Sequence, residues 1–181
     1  GFIKETSGDA TVTRTDGSSE TITVGTPIFQ GDIVETDAEG AVNILFIDES
    51  TFAVSNNARL AIDEYIYDPA TDSGTSNFSM LRGMFIYTSG LIGREDPDDV
   101  EIDTPMGSIG IRGTVIAGDV DNGEITVVEG AIVLKSFNGE ELTLATQFET
   151  GKFMPQTGDV VLMGNSDSGE LGAKFSSISP V

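Results

Sequence analysis

The stretch GEITVVEGAIVLKSFNGEELTLAT, residues 123–146, decides the fold class. Its apolar side chains alternate with polar or small ones in short β-branched runs, and a period of two places successive residues on opposite faces of a strand. Glu129-Gly130 and Asn138-Gly139 punctuate the runs, because glycine enters the positive-φ conformations that bends require. The pattern predicts a three-stranded meander in which Val127, Ile132, Leu134, Leu142 and Leu144 face inward.

The same alternation extends outward in both directions. ATVTRTDGSSETITV at 10–24 reads as a hairpin around Asp16-Gly17, and ARLAIDEYIYDP at 58–69 reads as a strand with an irregular join between Ile62 and Tyr65. DVDNGE at 119–124 places Asn122-Gly123 between two β-branched runs, the signal of a type I′ turn. Its glycine comes one position too early for a calcium loop, and no Glu stands at the twelfth position. Helical periodicity does not persist beyond two turns, and no internal repeat of fixed period suggests a regular solenoid. With 22 glycines, the chain reads as all-β with little or no helix: an irregular β-solenoid, a sandwich or a barrel, with extended terminal strands.

Polar loops at 68–77 and 94–103 interrupt the strands, and 164–170 reads as a flexible break. The expected organisation is an N-terminal extension (1–8), one β domain (9–163) and an extended C-terminal strand (164–181). In the last of these, Leu171, Ala173 and Phe175 alternate with Gly172, Lys174 and Ser176, and Ile178 lies just beyond. Phe2 and Ile3 supply a similar apolar end at the N-terminus. Each end either closes its own sheet or is donated to a neighbouring copy, where ladder bonds and alternate side chains would hold it. A head-to-tail contact of that kind that does not close builds a filament.

Composition excludes several functions. Thirty Asp and Glu against nine Lys and Arg give a net charge of −21, which repels nucleic acid and anionic membranes. Without cysteine there is no disulfide, thiolate nucleophile or Cys-ligated metal. Without histidine the common triads and His-ligated zinc are out of reach. The apolar runs fall far short of the roughly 20 residues that span a bilayer as a helix. Acidic pairs could in principle hydrolyse a glycoside, but the chain has no Trp and three Tyr to hold sugar rings. No enzyme, and no small-molecule substrate, is therefore expected. The chain opens at Gly1 without a charged, apolar leader, so a processed mature protein or an excised domain is expected. Calcium is the one cofactor candidate: Glu95, Asp96, Asp98 and Asp99 offer oxygens around Pro97, the alternative being a solvated acidic loop.

TPMGSIGIRGT at 104–114 sets one guanidinium, Arg112, among small residues and Ile. Pro105 removes a donor, and Gly107, Gly110 and Gly113 allow backbones to approach, so converging carbonyls could be satisfied by the five N–H donors of a buried arginine. A buried guanidinium also requires an anion, for which Glu101, Asp103 and Glu129 are candidates. The alternative is that Arg112 binds a carboxylate ligand such as citrate.

This stretch resembles the signature of FecR-like domains, in which Thr104-Pro105 precedes an Arg112-Gly113-Thr114 corner. Other blocks follow in the family's order: Gly31-Asp32 with Thr36, the apolar strand AVNILFI leading to Asp48-Glu49-Ser50, Gly83, VVEGAIVL at 127–134, and Glu149-Thr150-Gly151. The chain departs at Glu49, where the family usually has Gly. The resemblance covers about residues 9–155. It implies a β-rich extracytoplasmic domain that makes protein contacts and has no known catalysis, found in iron-signalling transmembrane regulators and in large bacterial surface proteins. Regulators carry an anti-sigma segment and a membrane helix ahead of this domain, and neither is seen here. The expectation is therefore a structural module of a bacterial extracellular or cell-surface protein, self-assembling by strand donation with other copies or another protein. The alternatives are a periplasmic sensory domain and a calcium-dependent ligand-binding or adhesin module.

Overall fold

The structure, a computed structural model, describes residues 1–178, and the side chains of all of these but Glu95 and Pro97. Alternating residues form strands along nearly the whole chain. β1 (Phe2–Ser7), β2 (Ala10–Thr13) and β3 (Ser19–Thr21) lead to β4 (Ile33–Thr36), β5 (Ala41–Leu45) and β6 (Thr51–Val54). The long hairpin of β7 (Arg59–Asp68) and β8 (Ser73–Arg82) is followed by β9 (Met84–Thr88), a helical turn α1 (Ile92–Glu95) and a 3₁₀ turn at Pro97–Asp99. Then come β10 (Val100–Thr104), β11 (Gly107–Asp119), β12 (Glu124–Ser136), β13 (Glu141–Leu144), β14 (Glu149–Met154), β15 (Asp159–Asn165) and the helix α2 (Ser168–Lys174).

Among the described residues these fifteen strands join one sheet, in the order β1-β5-β6-β9-β11-β10-β8-β7-β4-β2-β3. β12 branches from β11 and carries β13 and β14, and β14 carries β15. The sheet curls. The segment leaving β3 returns to β1, where Ile3 N donates to Thr26 O at 2.9 Å and Ile28 N to Gly1 O at 2.9 Å. The curl encloses a core in which Phe52 lies 5.2–5.5 Å from the rings of Phe78, Phe85 and Tyr87, tilted or edge-on as aromatic quadrupoles prefer. Val127, Ile132, Leu134 and Leu144 are fully buried, and Leu142 packs half-buried beside them, so the inward positions of the opening stretch are as expected. The hairpin around Asp16-Gly17 also forms, between β2 and β3.

Three local expectations are corrected. β12 runs unbroken through Glu129-Gly130, so two of the expected meander strands are one, bent at Gly130 with φ +87°. The turn at Asn122-Gly123 is not type I′, because Gly123 alone takes positive φ (+72°). The Asp119 carboxylate accepts from Asn122 Nδ2 at 2.8 Å and from Asn122 N at 3.3 Å, closing a wider loop instead. The extended strand expected at 164–181 is a helix over Ser168–Lys174. Asp167 caps it by accepting from Gly169 N and Glu170 N, an acid sits in its first turn and Lys174 in its last. Leu171, Phe175 and Ile178 face the sheet at a spacing of four and three, whereas Ala173 is exposed. Ser179, Pro180 and Val181 lie outside the described residues. No described helix is long and apolar enough to cross a membrane.

Candidate functional site

The stretch around Arg112 is where the sheet branches. The first half of β11 pairs with β10, from Thr104↔Gly107 to Glu101↔Gly110, and the second half pairs with β9, from Val115↔Thr88 to Asp119↔Met84. β12 follows along the other edge, with register shifts between Arg112 and Ile116, and changes its own far neighbour from β13 to β14. Both strands bend at facing glycines, Gly113 with φ +59° and Gly130 with φ +87°. A Cβ on Gly130 would sit 2.4 Å from Gly113 O and 2.7 Å from Thr114 Oγ1, which no side chain tolerates. Bulges of this kind turn a strand and redirect its pairing.

Threonines stitch the corner. Thr114 Oγ1 donates to Glu129 O at 2.6 Å, Thr114 N donates to Ser89 Oγ at 3.0 Å, and Thr114 O accepts from Ser89 N at 2.9 Å. In the turn after Pro105, Thr104 Oγ1 donates to Gly107 O at 2.8 Å and accepts from Met106 N and Gly107 N, both at 3.2 Å.

Arg112 is not the buried brace expected of it: its side chain is exposed. The parity of β11 explains this, since Ile109 and Ile111 face the core and the residue after them must face out. None of Glu101, Asp103 and Glu129 forms an ion pair with it. Asp103 instead accepts from Ser108 Oγ at 2.5 Å, and burial together with Asp103 pushes the Glu101 carboxyl above its usual range. Arg112 lines a polar hollow of about 230 Å³ with Asp98, Gly110, Lys135 and Glu141, where both signs of charge meet.

The cation that does brace the fold is Arg14, which sequence reasoning missed. Its guanidinium bonds Asp32, Glu20 and Pro27 O and lies over the Phe29 ring. Asp32 is itself buried and accepts from Phe29 N at 2.8 Å, so one ion pair ties the β2–β3 hairpin to the turn that runs from Phe29 to Asp32. The available signal was a lone arginine in a hairpin facing a Gly-Asp block.

Asp48 is buried in a second turn. Its Oδ1 accepts from Ser50 Oγ at 2.6 Å, Ser50 N at 3.2 Å and Tyr65 Oη at 2.7 Å, and its carbonyl accepts from Leu91 N at 2.7 Å. Burial, with the bond to Asp48, drives the Tyr65 hydroxyl far above its usual range, so it remains a donor. Glu49, in the middle of this turn, takes φ +70°, a left-handed conformation that favours the Gly expected there from the resemblance.

The calcium expectation gains no support. Asp96 uses its carboxylate to cap the 3₁₀ turn by accepting from Asp98 N at 3.0 Å, and the Glu95 side chain lies outside the described residues. Burial and its two neighbouring acids push the Asp99 carboxyl up. Among the described residues no group of three or more ligands is placed to hold a metal.

Over the described residues, both terminal segments pack on their own sheet. β1 pairs with β5, burying Ile3 and leaving Phe2 half exposed. α2 lies on the outer face, where Phe175 and Ile178 seat against Ala53 and Ala117, small residues that leave room for them, with Leu171 packed alongside. Lys174 clasps the helix to the sheet through Asp119 at 2.8 Å and Glu124 at 2.9 Å. The segment expected to be donated to another copy is thus a docked helix.

A family model described as FecR protein matches residues 32–133. The chain belongs to the FecR protein family. The matched span of this FecR domain runs from the buried Asp32 through the Asp48–Ser50 turn to the branched corner. Two crystal structures of a candidate anti-sigma factor from Parabacteroides distasonis share the fold. The one at 1.65 Å resolution has a TM-score of 0.60 at 10% identity, covering 79% of this chain and 64% of that one. The one at 2.50 Å has a TM-score of 0.62 at 11% identity, covering 79% and 63%. The FecR domain therefore spans less than two thirds of those chains. No curated protein matches it.

Proposed function

We propose that this FecR domain is a non-enzymatic protein-recognition module of a bacterial signalling system, acting outside the cytoplasm and relaying the state of one protein partner to another. The observation that carries the reading is the family match over residues 32–133, together with a fold shared with a candidate anti-sigma factor. The chemistry of the chain agrees. The buried Asp32, Asp48, Thr104 and Thr114 are committed to holding turns. A net charge of −21 turns nucleic acid and anionic lipid away and leaves proteins as partners. Signalling is preferred to filament assembly because the segment assigned to strand donation is seated as α2 on its own sheet.

The test is an in-frame deletion of the domain from the chromosomal gene, followed by transcript profiling. A defined set of transcripts is expected to change. An unchanged profile, with the shortened protein present at normal level, overturns the reading.

A further inference from the structure

The described strands with a single neighbour are β1, β3, β13 and β15, and three of them are blunted. β3 has three residues, all polar, and β13 is a four-residue strand opened by Glu141. β1 carries Lys4 and is covered near Ile3 by the segment that follows β3. Short length, charge and cover are the usual means by which sheet edges avoid pairing with other chains.

β15 is less protected: its one charge is Asp159 at its start, although its ladder with β14 carries a register shift and Gly164 takes φ +99°. It is seven residues long, without Pro or Lys, and pairs on one side with β14. Val161, Leu162 and Met163 are 38%, 54% and 56% exposed, three consecutive apolar side chains at the rim of an otherwise acidic molecule. The strand is held firmly in place from the β14 side and from its two ends. Asn165 Nδ2 donates to Gln147 O at 3.0 Å, and Asn138 Nδ2 to Asp159 Oδ1 at 3.0 Å.

We infer that the free edge of β15 is a docking site for an extended segment of a partner protein, added as a further strand, with apolar residues at alternate positions and Lys or Arg between or beside them. A strand is the occupant because it satisfies a row of backbone N–H and C=O groups while covering the apolar side chains. The cationic character follows from charge: Asp159 stands at one end of the edge, Asp167 and Glu170 just beyond the other, and the whole chain carries −21. The same charge sets two copies of this chain against each other. The inference rests on the reading of the domain as a protein-recognition module and names its surface.

The experiment uses the full chain and three labelled seven-residue peptides: alternating Lys and Val, the same peptide with Glu for Lys, and the Lys peptide with its central Val replaced by Pro. Fluorescence anisotropy measures binding, and hydrogen exchange locates it. The Lys–Val peptide is expected to bind saturably and slow exchange in residues 159–165, with the Glu and Pro peptides at least about tenfold weaker. The double variant Leu162→Ser, Met163→Ser, which alters exposed side chains without changing charge, is expected to keep its melting temperature and lose about tenfold in affinity. Equal binding of the Lys and Pro peptides, protection confined to other strands, or a dimer of this chain that the double variant abolishes would each overturn the inference. In cells, a transcript profile that changes on deletion of the domain but not in the double variant rejects the edge and leaves the signalling role standing.

Discussion

Glu49 holds a conformation that glycine enters without strain, at φ +70°, because the bonds from Ser50 and Tyr65 to Asp48 fix the turn around it. A non-glycine residue there costs on the order of 1 kcal/mol, part of which glycine returns through the entropy of the unfolded chain. Glu49→Gly is expected to stabilise the protein by about 0.5–1 kcal/mol. A urea midpoint that stays put or falls refutes this. At the corner, Gly130→Ala is expected to cost about 2 kcal/mol or more, since it combines φ +87° with a Cβ 2.4 Å from Gly113 O. Arg112→Met is expected to change stability by less than about 0.5 kcal/mol, because the arginine is exposed and Thr114 makes the corner's bonds. Melting both variants side by side decides the matter, and a large loss in Arg112→Met would restore the arginine as brace. The corner's location was legible from its glycines, but which side chain turned inward depended on the parity of β11, and one residue of offset reverses that.

At the scale of elements, α2 shows why a short apolar pattern is ambiguous. Leu171, Ala173 and Phe175 fit a period of two, while Leu171, Phe175 and Ile178 fit a helix equally well, and docking on the outer face selects the second. Its clasp titrates at both ends of the pH scale. Burial acts to raise the Asp119 carboxyl, but bonds from Lys174 and Asn122 outweigh it and hold the group below the usual range. Burial likewise acts to lower Lys174, and the bonds to Asp119 and Glu124 outweigh it and hold the ammonium above its usual range. The contribution of Asp119 is thus present above the ordinary Asp value of about 3.9 and lost as pH falls through its lower folded value. That of Lys174 is present below about 10.4 and lost as pH rises through its higher folded value. Methyl NMR should show Ile178 moving toward its unfolded position at both extremes before Ile44 in the core does. Simultaneous loss of both signals would mean that α2 is not a separate unit.

For the whole molecule, an excess of 21 negative charges opposes compaction, and salt relieves it. The screening length falls from about 30 Å at 0.01 M to about 8 Å at 0.15 M, so the melting temperature is expected to rise by several degrees across that range. A flat response would show that the exposed cations already neutralise their surroundings. The sequence alone determined the all-β class, the inward residues of the stretch at 123–146 and the acidic exterior, because alternation, glycine conformation and charge are properties of neighbours along the chain. Tertiary structure alone decided that β11 leaves β10 for β9, that Arg14 rather than Arg112 meets a buried carboxylate, and that the C-terminal segment coils onto the sheet. Each of those depends on a partner far away in sequence, whose approach is set by how the curled sheet closes over its core.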